Sequence, residues 1–587
     1  MTNSRKMTEH LFFRLLPIQI LLSAVGSVNG IVSSLFASNS IGAEAMTAVG
    51  LYAPISMFIG AVSTMLVGGA QILCGKYMGS DQLKETQHVF SLDLILSLFF
   101  SLFMSVLAAL FGALDLTDFF TKDPVVRPLF NQYLLGQAIG IVPMVLSAQI
   151  SAFLSLEHQT KRTFAASLVY ILVNVLLNFL FLAVFHMGAF GLALASSLGF
   201  WVFLLIQLQY YLTEKALLKL KAVPVTGSGI GGIVKIGAPG ALTYGYQAVR
   251  NLIVNMLILV YVGSMGLSAF TASNTLLGLV WAVPTGFMAV SRMLMSISEG
   301  EEDRQTLTDV MRTVLCRCLP LMCAIVAVIV LCAEPLTKLY YQDPAQPVYQ
   351  MTVNGFRLLP LCMLPAVFVM NFTAYGQISG KQILIHVLSV MDGVVCVSGF
   401  SALLIPFLKL DGVYVANILN GFAGVLIFVI YACLKKKHFP RTLDELMVIP
   451  EDFGAPPENR LDVSVTRLEE VVRLSEKVQQ FCLEKGVDQK RSYLAGLSME
   501  EMAGNVISHG FVKDKKNHTA DIRVVYKDGM VILRIKDDCI AFDPAERQSI
   551  VDPEDPVKNI GIRMIYAMAK DIRYQNILGL NVLTIKI

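Results

Sequence analysis

Charged side chains are scarce in this sequence, and the scarcity is uneven. Only 15% of the 587 residues are Asp, Glu, Lys or Arg. Residues 1–440 carry 44 of these 89 side chains, and the remaining 147 residues carry 45. So little charge, beside 55% hydrophobic residues, excludes an ordinary soluble enzyme for the first part. Zinc-ligand spacing is missing too. The ten cysteines are scattered, mostly through apolar runs, and Cys316 and Cys318 sit too close together with no ligands nearby. All ten read as small apolar packing residues. The net charge of +3 divides into about +6 before residue 440 and −3 after it, so the basic excess follows membrane topology and not nucleic acid. The polar start runs into an apolar stretch of full spanning length without a small-residue cleavage site, so no cleavable signal is expected.

A membrane-spanning helix needs about 20 mostly apolar residues. Twelve such stretches occur, at 12–35, 49–74, 90–114, 130–155, 164–186, 190–212, 237–262, 266–291, 312–332, 355–376, 383–406 and 412–434. With the N-terminus inside, the cytoplasmic loops hold Lys76, Lys84, Lys161, Arg162, Lys215, Lys219, Lys221, Lys381 and Lys435 to Lys437. The opposite loops are poorer in Lys and Arg, which predicts both termini in the cytoplasm of a bacterium. The pattern also repeats. Gly75-Lys-Tyr-Met-Gly-Ser-Asp81 follows the second span, and Ser298-Glu-Gly-Glu-Glu-Asp303 follows the eighth. The expectation is an all-α polytopic domain of two six-helix bundles, 1–222 and 223–438, around the central cavity of a rocking secondary transporter.

Val32-Ser-Ser-Leu-Phe36, Val67-Gly-Gly-Ala-Gln71, Asn174-Val-Leu-Leu-Asn178 and Ile236-Gly-Ala-Pro-Gly-Ala241 carry a resemblance to the multidrug and toxic compound extrusion (MATE) transporters, over about residues 10–435. The resemblance implies antiport of small amphipathic organic compounds, coupled to H+ or Na+. It also implies an Asp where this chain has Ser33, and an Asp-Pro where it has Asn178 and Phe179. Serine and asparagine do not titrate in the range a coupling carboxylate needs. Asp392, inside the eleventh span, and Asp93, near the start of the third, are the remaining carboxylate candidates, because intramembrane acids are costly. Asp93 reads first as a headgroup-boundary group. Arg250 and Arg357 would suit an anionic substrate, an acidic partner or an interface.

After a polar, proline-containing linker at 439–459, the sequence turns helical from Arg460, with Leu468, Val471, Val472, Leu474, Val478 and Phe481 at three- and four-residue intervals. A second helix is expected at about 488–509. Alternating runs at 520–526 and 530–536, joined by Asp528-Gly529, predict a hairpin. A helix at 560–570 and a strand at 581–587 complete an α+β sandwich. Glu501 and Asn505 share a helix face, with His509 one turn on; a carboxylate and an amide so stacked can hold water and Mg2+ against phosphates. Asp537-Asp-Cys-Ile-Ala-Phe-Asp-Pro544 ends a strand, and Asn559-Ile-Gly561 opens a helix where phosphate could meet free N–H groups.

In that order and spacing these residues resemble the GHKL (Bergerat) ATPase fold, nearest to the anti-sigma-factor serine kinases, over 460–587. The resemblance implies Mg2+ on Asn505, Glu501 as general base, adenine on Asp537, and ATP lined by His509, Phe542, Asp543, Asn559 and Gly561, beneath a lid at 546–558. Cys539 and Asn559 stand where the family has glycines. It further implies a regulator of the anti-anti-sigma type and serine or threonine phosphorylation. The joint expectation is an ion-driven exporter of the bacterial cytoplasmic membrane, gated by a cytoplasmic ATP-binding domain. Two alternatives stand beside it: a transporter-derived receptor signalling through the tail, and a flippase for lipid-linked or anionic cargo.

Overall fold

The computed structural model describes residues 3–40, 43–120, 123–157, 159–213, 216–221, 227–511, 518–540, 543–545 and 560–587. The first half is built from α1 (Asn3–Ser40), α2 (Ala43–Gly79), α3 (Leu83–Ala113), α4 (Val126–Leu156), α5 (Thr160–Phe179) and α6 (Gly188–Tyr211). The second opens with α7 (Gly227–Tyr261), α8 (Ser264–Val280), α9 (Ala282–Gly300) and α10 (Arg304–Thr313). It continues through Leu319–Leu331, Pro347–Leu358, Met363–Ile378, Gln382–Val390, Cys396–Leu408 and Leu410–Lys436. Among the described residues, 11 helical runs are long and apolar enough to cross a membrane. The 35-residue α7, which carries Lys235 and Arg250, is the remaining counterpart of the predicted spans.

One predicted boundary is corrected. The eighth span does not stop at 291: after a break at Trp281 its helix runs on to Gly300, which takes Arg292 into the bundle. Pro284 is tolerated there because it lies in the first turn of α9, where its missing N–H costs no hydrogen bond.

Within the first half, α4 packs against α2, α3 and α6. The halves meet along α2, which packs on both α7 and α9. Near one end of this seam the backbones touch. A Cβ on Gly79 would strike the Ile297 carbonyl, and one on Gly300 the Lys76 carbonyl. The fifth helix of each half widens into a five-residue π-helical turn, Leu180–Val184 just after Asn178 and Met391–Val395 containing Asp392. Turns of this kind recur at functional sites.

The tail departs from the predicted pattern at its start. Arg460–Val465 is a strand, β1, and the helix begins only at Leu468. It is followed by β2 (Ala520–Lys527), β3 (Met530–Asp537), β4 (Asp571–Ile577) and β5 (Leu580–Lys586), in the antiparallel order β1-β2-β3-β5-β4. Neither β1 nor β4 was expected. The predicted hairpin is present, with both turn residues in the left-handed region (Asp528 φ 52, Gly529 φ 74) that a two-residue connection requires. The helices Leu468–Glu484 and Gln489–Asn505 cover one sheet face, burying Val471, Leu474, Val478, Met499 and Met502 with Ile522, Leu533 and Ile535. Leu468 and Val472, expected inward, are exposed. Alternation along β2 and β3 sends Arg523, Lys527, Arg534 and Lys536 to the other face.

Candidate functional site

The second tail helix starts cleanly, because the Asp488 side chain accepts a hydrogen bond from the Arg491 N–H at 3.0 Å. Glu501 and Asn505 follow one turn apart, and His509 sits exposed on the wide turn Val506–Gly510. Gly561, at the start of the helix Ile560–Met568, lies so close that a Cβ there would collide with the Glu501 carboxylate. Gly510 meets the segment after β3, where a Cβ would come within 3.0 Å of Cys539 Sγ. The three motif segments therefore converge at one end of the helix-bearing face.

Asp537 is buried at the end of β3, and its Oδ1 accepts from the Cys539 N–H (3.0 Å) and from Asn581 Nδ2 (2.8 Å). Burial pushes its pKa up, against those two hydrogen bonds. Asp543 Oδ1 accepts from the Ala545 N–H at 2.9 Å. Phe542, Asn559 and the 546–558 lid lie outside the described residues.

The membrane candidates do not form one cluster. Asp392 Oδ1 accepts from Asn420 Nδ2 at 2.6 Å, and the Arg250 guanidinium of α7 is near enough to act on its charge. Asn178 Nδ2 donates to the Asn174 carbonyl (2.8 Å), and Asn174 Nδ2 to Ser196 Oγ (3.2 Å), a neutral chain between α5 and α6. Arg357 pairs with Glu334 at 3.1 Å, with both side chains exposed. Asp93 is fully buried in α3, and neither carboxylate oxygen has a hydrogen-bond partner among the described residues. Ser33 falls within α1, but its side chain is outside the described set. Arg292 was missed, because ending the eighth span at 291, nine residues before Gly300, put it in a loop. Its Nε is shielded without a partner among the described residues, and its Nη1 would lie 3.4 Å from a Cβ on Gly68 of α2.

The open sheet face of the tail is seated on the end of the bundle where α2 and α9 touch. Arg523 Nη1 lies 2.8 Å from Asp303 Oδ1 and its Nε 2.6 Å from Asp462. Lys536 pairs with Glu301, and Lys527 with Glu302 at 2.7 Å. Those acids join α9 to α10 in the second half. The first half is held by other strands. Arg573 donates to the Asp81 carbonyl, Gln575 Nε2 to Asp81 Oδ1 at 3.1 Å, and the Leu578 N–H to the Leu156 carbonyl at 3.4 Å. Burial would raise the Asp303 carboxyl, but Arg523 and Lys536 outweigh it and hold the group well below the usual carboxylate range. The exposed Lys527 pair adds little, whereas the buried Arg523–Asp303 pair cannot lose one partner cheaply. A cavity of about 380 Å³, lined by Leu11, Leu294, Asp303, Arg523 and Leu578 among others, remains between sheet and bundle.

A bundle of paired helical halves with a nucleotide-type sandwich at its end defines a membrane transporter fold carrying an ATPase-like domain. Residues 20–180 and 239–397 match the MatE family model, more than half of the chain, and 465–587 match the histidine kinase-like ATPase domain. The chain belongs to the MatE family and is an integral membrane protein. It is 22% identical over 275 residues to a probable multidrug resistance protein NorM of Listeria monocytogenes, covering 45% of this chain and 59% of that one. A NorM of Listeria innocua is 24% identical over 230 residues, covering 37% and 49%. The chain thus spans about three-fifths or less of the length of these curated relatives. A solved structure described as an outward-facing multidrug resistance MATE family transporter of the MOP superfamily superposes with a TM-score of 0.65 at 19% identity. It covers 73% of this chain and 96% of that one. A MOP superfamily transporter from Pyrococcus furiosus, described by a reversed polarity of its binding pocket, gives 0.64 at 19%, over 73% and 97%.

Proposed function

We propose that this protein is a secondary active efflux transporter whose tail, on the cytoplasmic side, binds Mg-ATP and controls opening of that side. The observation that carries the reading is the seam, in which one small domain grips Asp81 and Leu156 of the first half together with Glu301, Glu302 and Asp303 of the second. A two-half transporter exposes its cavity to one side by separating the halves there. Parting Asp81 from Asp303 would break contacts on one edge of the sheet or the other, so the docked tail favours the closed side. The nucleotide residues lie on the opposite sheet face, where binding could change how the tail seats, a coupling between two sites. Transport would draw on an ion gradient, with Asp392 the best-supported coupling acid. The test is flux of an amphipathic cation in proteoliposomes under imposed H+ or Na+ gradients, with and without Mg-ATP on the tail side. Gradient-driven flux that responds to ATP supports the reading; flux indifferent to ATP removes the regulatory half of it.

A second reading concerns the cargo. Arg292 and Arg250 bring guanidinium groups into the bundle, and the Arg292 Nε is buried with no hydrogen-bond partner among the described residues. That favours an anionic or lipid-linked cargo over a cation. An anionic probe moved in preference to the cation in the same vesicles would establish it.

A further inference from the structure

The register of β2 and β3 brings together three residues of different chemistry that the nucleotide reading does not use. Ala520 pairs with Asp537 at the end of the hairpin. His518, two residues before Ala520, therefore meets Asp538 and Cys539, which directly follow Asp537. His518 Nδ1 and Asp538 Oδ1 are 2.8 Å apart, and the His518 side chain is 1% exposed. Cys539 is buried as well. One ligand atom from each of the three lies within 4.8 Å of the others.

We propose that His518, Asp538 and Cys539 form a zinc site that sets the geometry of the loop bearing Asp537. Imidazole, carboxylate and thiolate are the donor set of zinc, and three protein ligands leave the fourth tetrahedral position open. Tetrahedral bonds of about 2.0–2.3 Å set ligand atoms roughly 3.3–3.8 Å apart, so side-chain rotations that draw in three atoms already within 4.8 Å of one another close the site. Binding replaces the His518–Asp538 hydrogen bond with two metal bonds: the Nδ1 proton gives way to the metal as the imidazole takes its Nε2–H tautomer, and the Cys539 thiol proton is released to solvent.

The link to Asp537 is short. Its Oδ1 accepts from the Cys539 N–H, and Asn581 Nδ2 bridges Asp537 Oδ1 (2.8 Å) and the Cys539 carbonyl (3.2 Å). Fixing Cys539 Sγ therefore fixes the turn on which Asp537 sits. Gly510 leaves room for that sulfur against the turn after Asn505. Cys539 was read from sequence as a packing residue; the packing is real, but its neighbours are ligands. The metal site stands on its own geometry, whereas its consequence for ATP rests on the nucleotide reading above.

The test is titration of chelator-stripped full-length protein in detergent with Co2+, followed by displacement with Zn2+. A thiolate-to-cobalt charge-transfer band is expected in the wild type and in Cys316→Ser, and its loss in Cys539→Ser and in His518→Gln. Chelation should also lower the melting temperature of the wild type but not of Cys539→Ser, whose circular dichroism reports that it is folded. No band in the wild type, or a band that survives Cys539→Ser, as exposed Cys316 or Cys323 would give, overturns the site. Mg-ATP should bind more tightly with zinc than without; equal binding in the two states overturns the link to Asp537. If ATP fails to bind in either state while the cobalt band still follows Cys539, the nucleotide reading fails and the metal site stands.

Discussion

Arg523 of β2 and Asp303, between α9 and α10, meet at 2.8 Å although they are 220 residues apart in sequence. Both are largely buried, and Asp303 also caps α10 by accepting from the Thr306 N–H at 3.0 Å. One carboxylate thus starts a membrane helix and anchors the tail.

Removing either partner leaves the other only partly compensated, since Arg523 keeps Asp462 and Asp303 keeps Lys536. Arg523→Ala should weaken docking by about 1–3 kcal/mol. Limited proteolysis between residues 438 and 460 should accelerate in the variant, while Lys527→Ala should change it little. Equal proteolysis of Arg523→Ala and wild type would remove the pair from the account.

The pH dependence of stability has an identifiable source. Glu157 follows α4, buried, with its carboxylate accepting from Tyr210 (3.0 Å) and from the Leu217 N–H (2.7 Å). Burial pushes its pKa up to about 7, against those hydrogen bonds. A raised acid pKa means that the folded state holds the proton more tightly than the unfolded chain. Its stabilising contribution is therefore complete below the ordinary glutamate value of 4.5 and is lost as pH rises through about 7. Glu157→Gln should flatten the fall in melting temperature over that window, a difference on the order of 1–3 kcal/mol. An unchanged pH profile in the variant would contradict the assignment.

A side chain at Gly561 has room only if the Glu501 side chain moves aside. Gly561→Ala drives a methyl group into the Glu501 carboxylate, costing about 1–3 kcal/mol of tail stability or displacing Glu501. Calorimetric titration should show weakened Mg-ATP binding in Gly561→Ala and loss of binding in Asn505→Ala. Full affinity in both would mean that the nucleotide, if bound, sits elsewhere.

Asp392→Asn keeps an acceptor for Asn420 and removes the charge. Gradient-driven flux should be lost while expression and melting temperature stay close to wild type. Flux that persists would shift attention to Asp93, whose carboxylate is buried with no hydrogen-bond partner among the described residues.

The hydropathy of the chain made the two-half bundle legible, because spanning helices advertise themselves by length and composition. The hairpin was legible from Asp528-Gly529, since few dipeptides accept two left-handed residues. The strand at Arg460 was not. Leu461, Val463 and Val465 do alternate at the strand period, but the run is only six residues long and is absorbed into the stronger three- and four-residue period that begins at Leu468. Arg292 escaped because the eighth span was ended at 291, nine residues short of Gly300. The seam could not be read at all. Glu301 to Asp303 look like ordinary loop acids, and Arg523, Arg534 and Lys536 like the solvent face of a sheet. Their meeting depends on tertiary docking, for which one sequence holds no periodic signal.

The most direct test of the account compares proteoliposome flux of wild type and Arg523→Ala, each with and without Mg-ATP on the tail side. The account predicts that ATP alters wild-type flux and that Arg523→Ala transports at a rate independent of ATP. An Arg523→Ala protein that transports with the full wild-type response to ATP would contradict it.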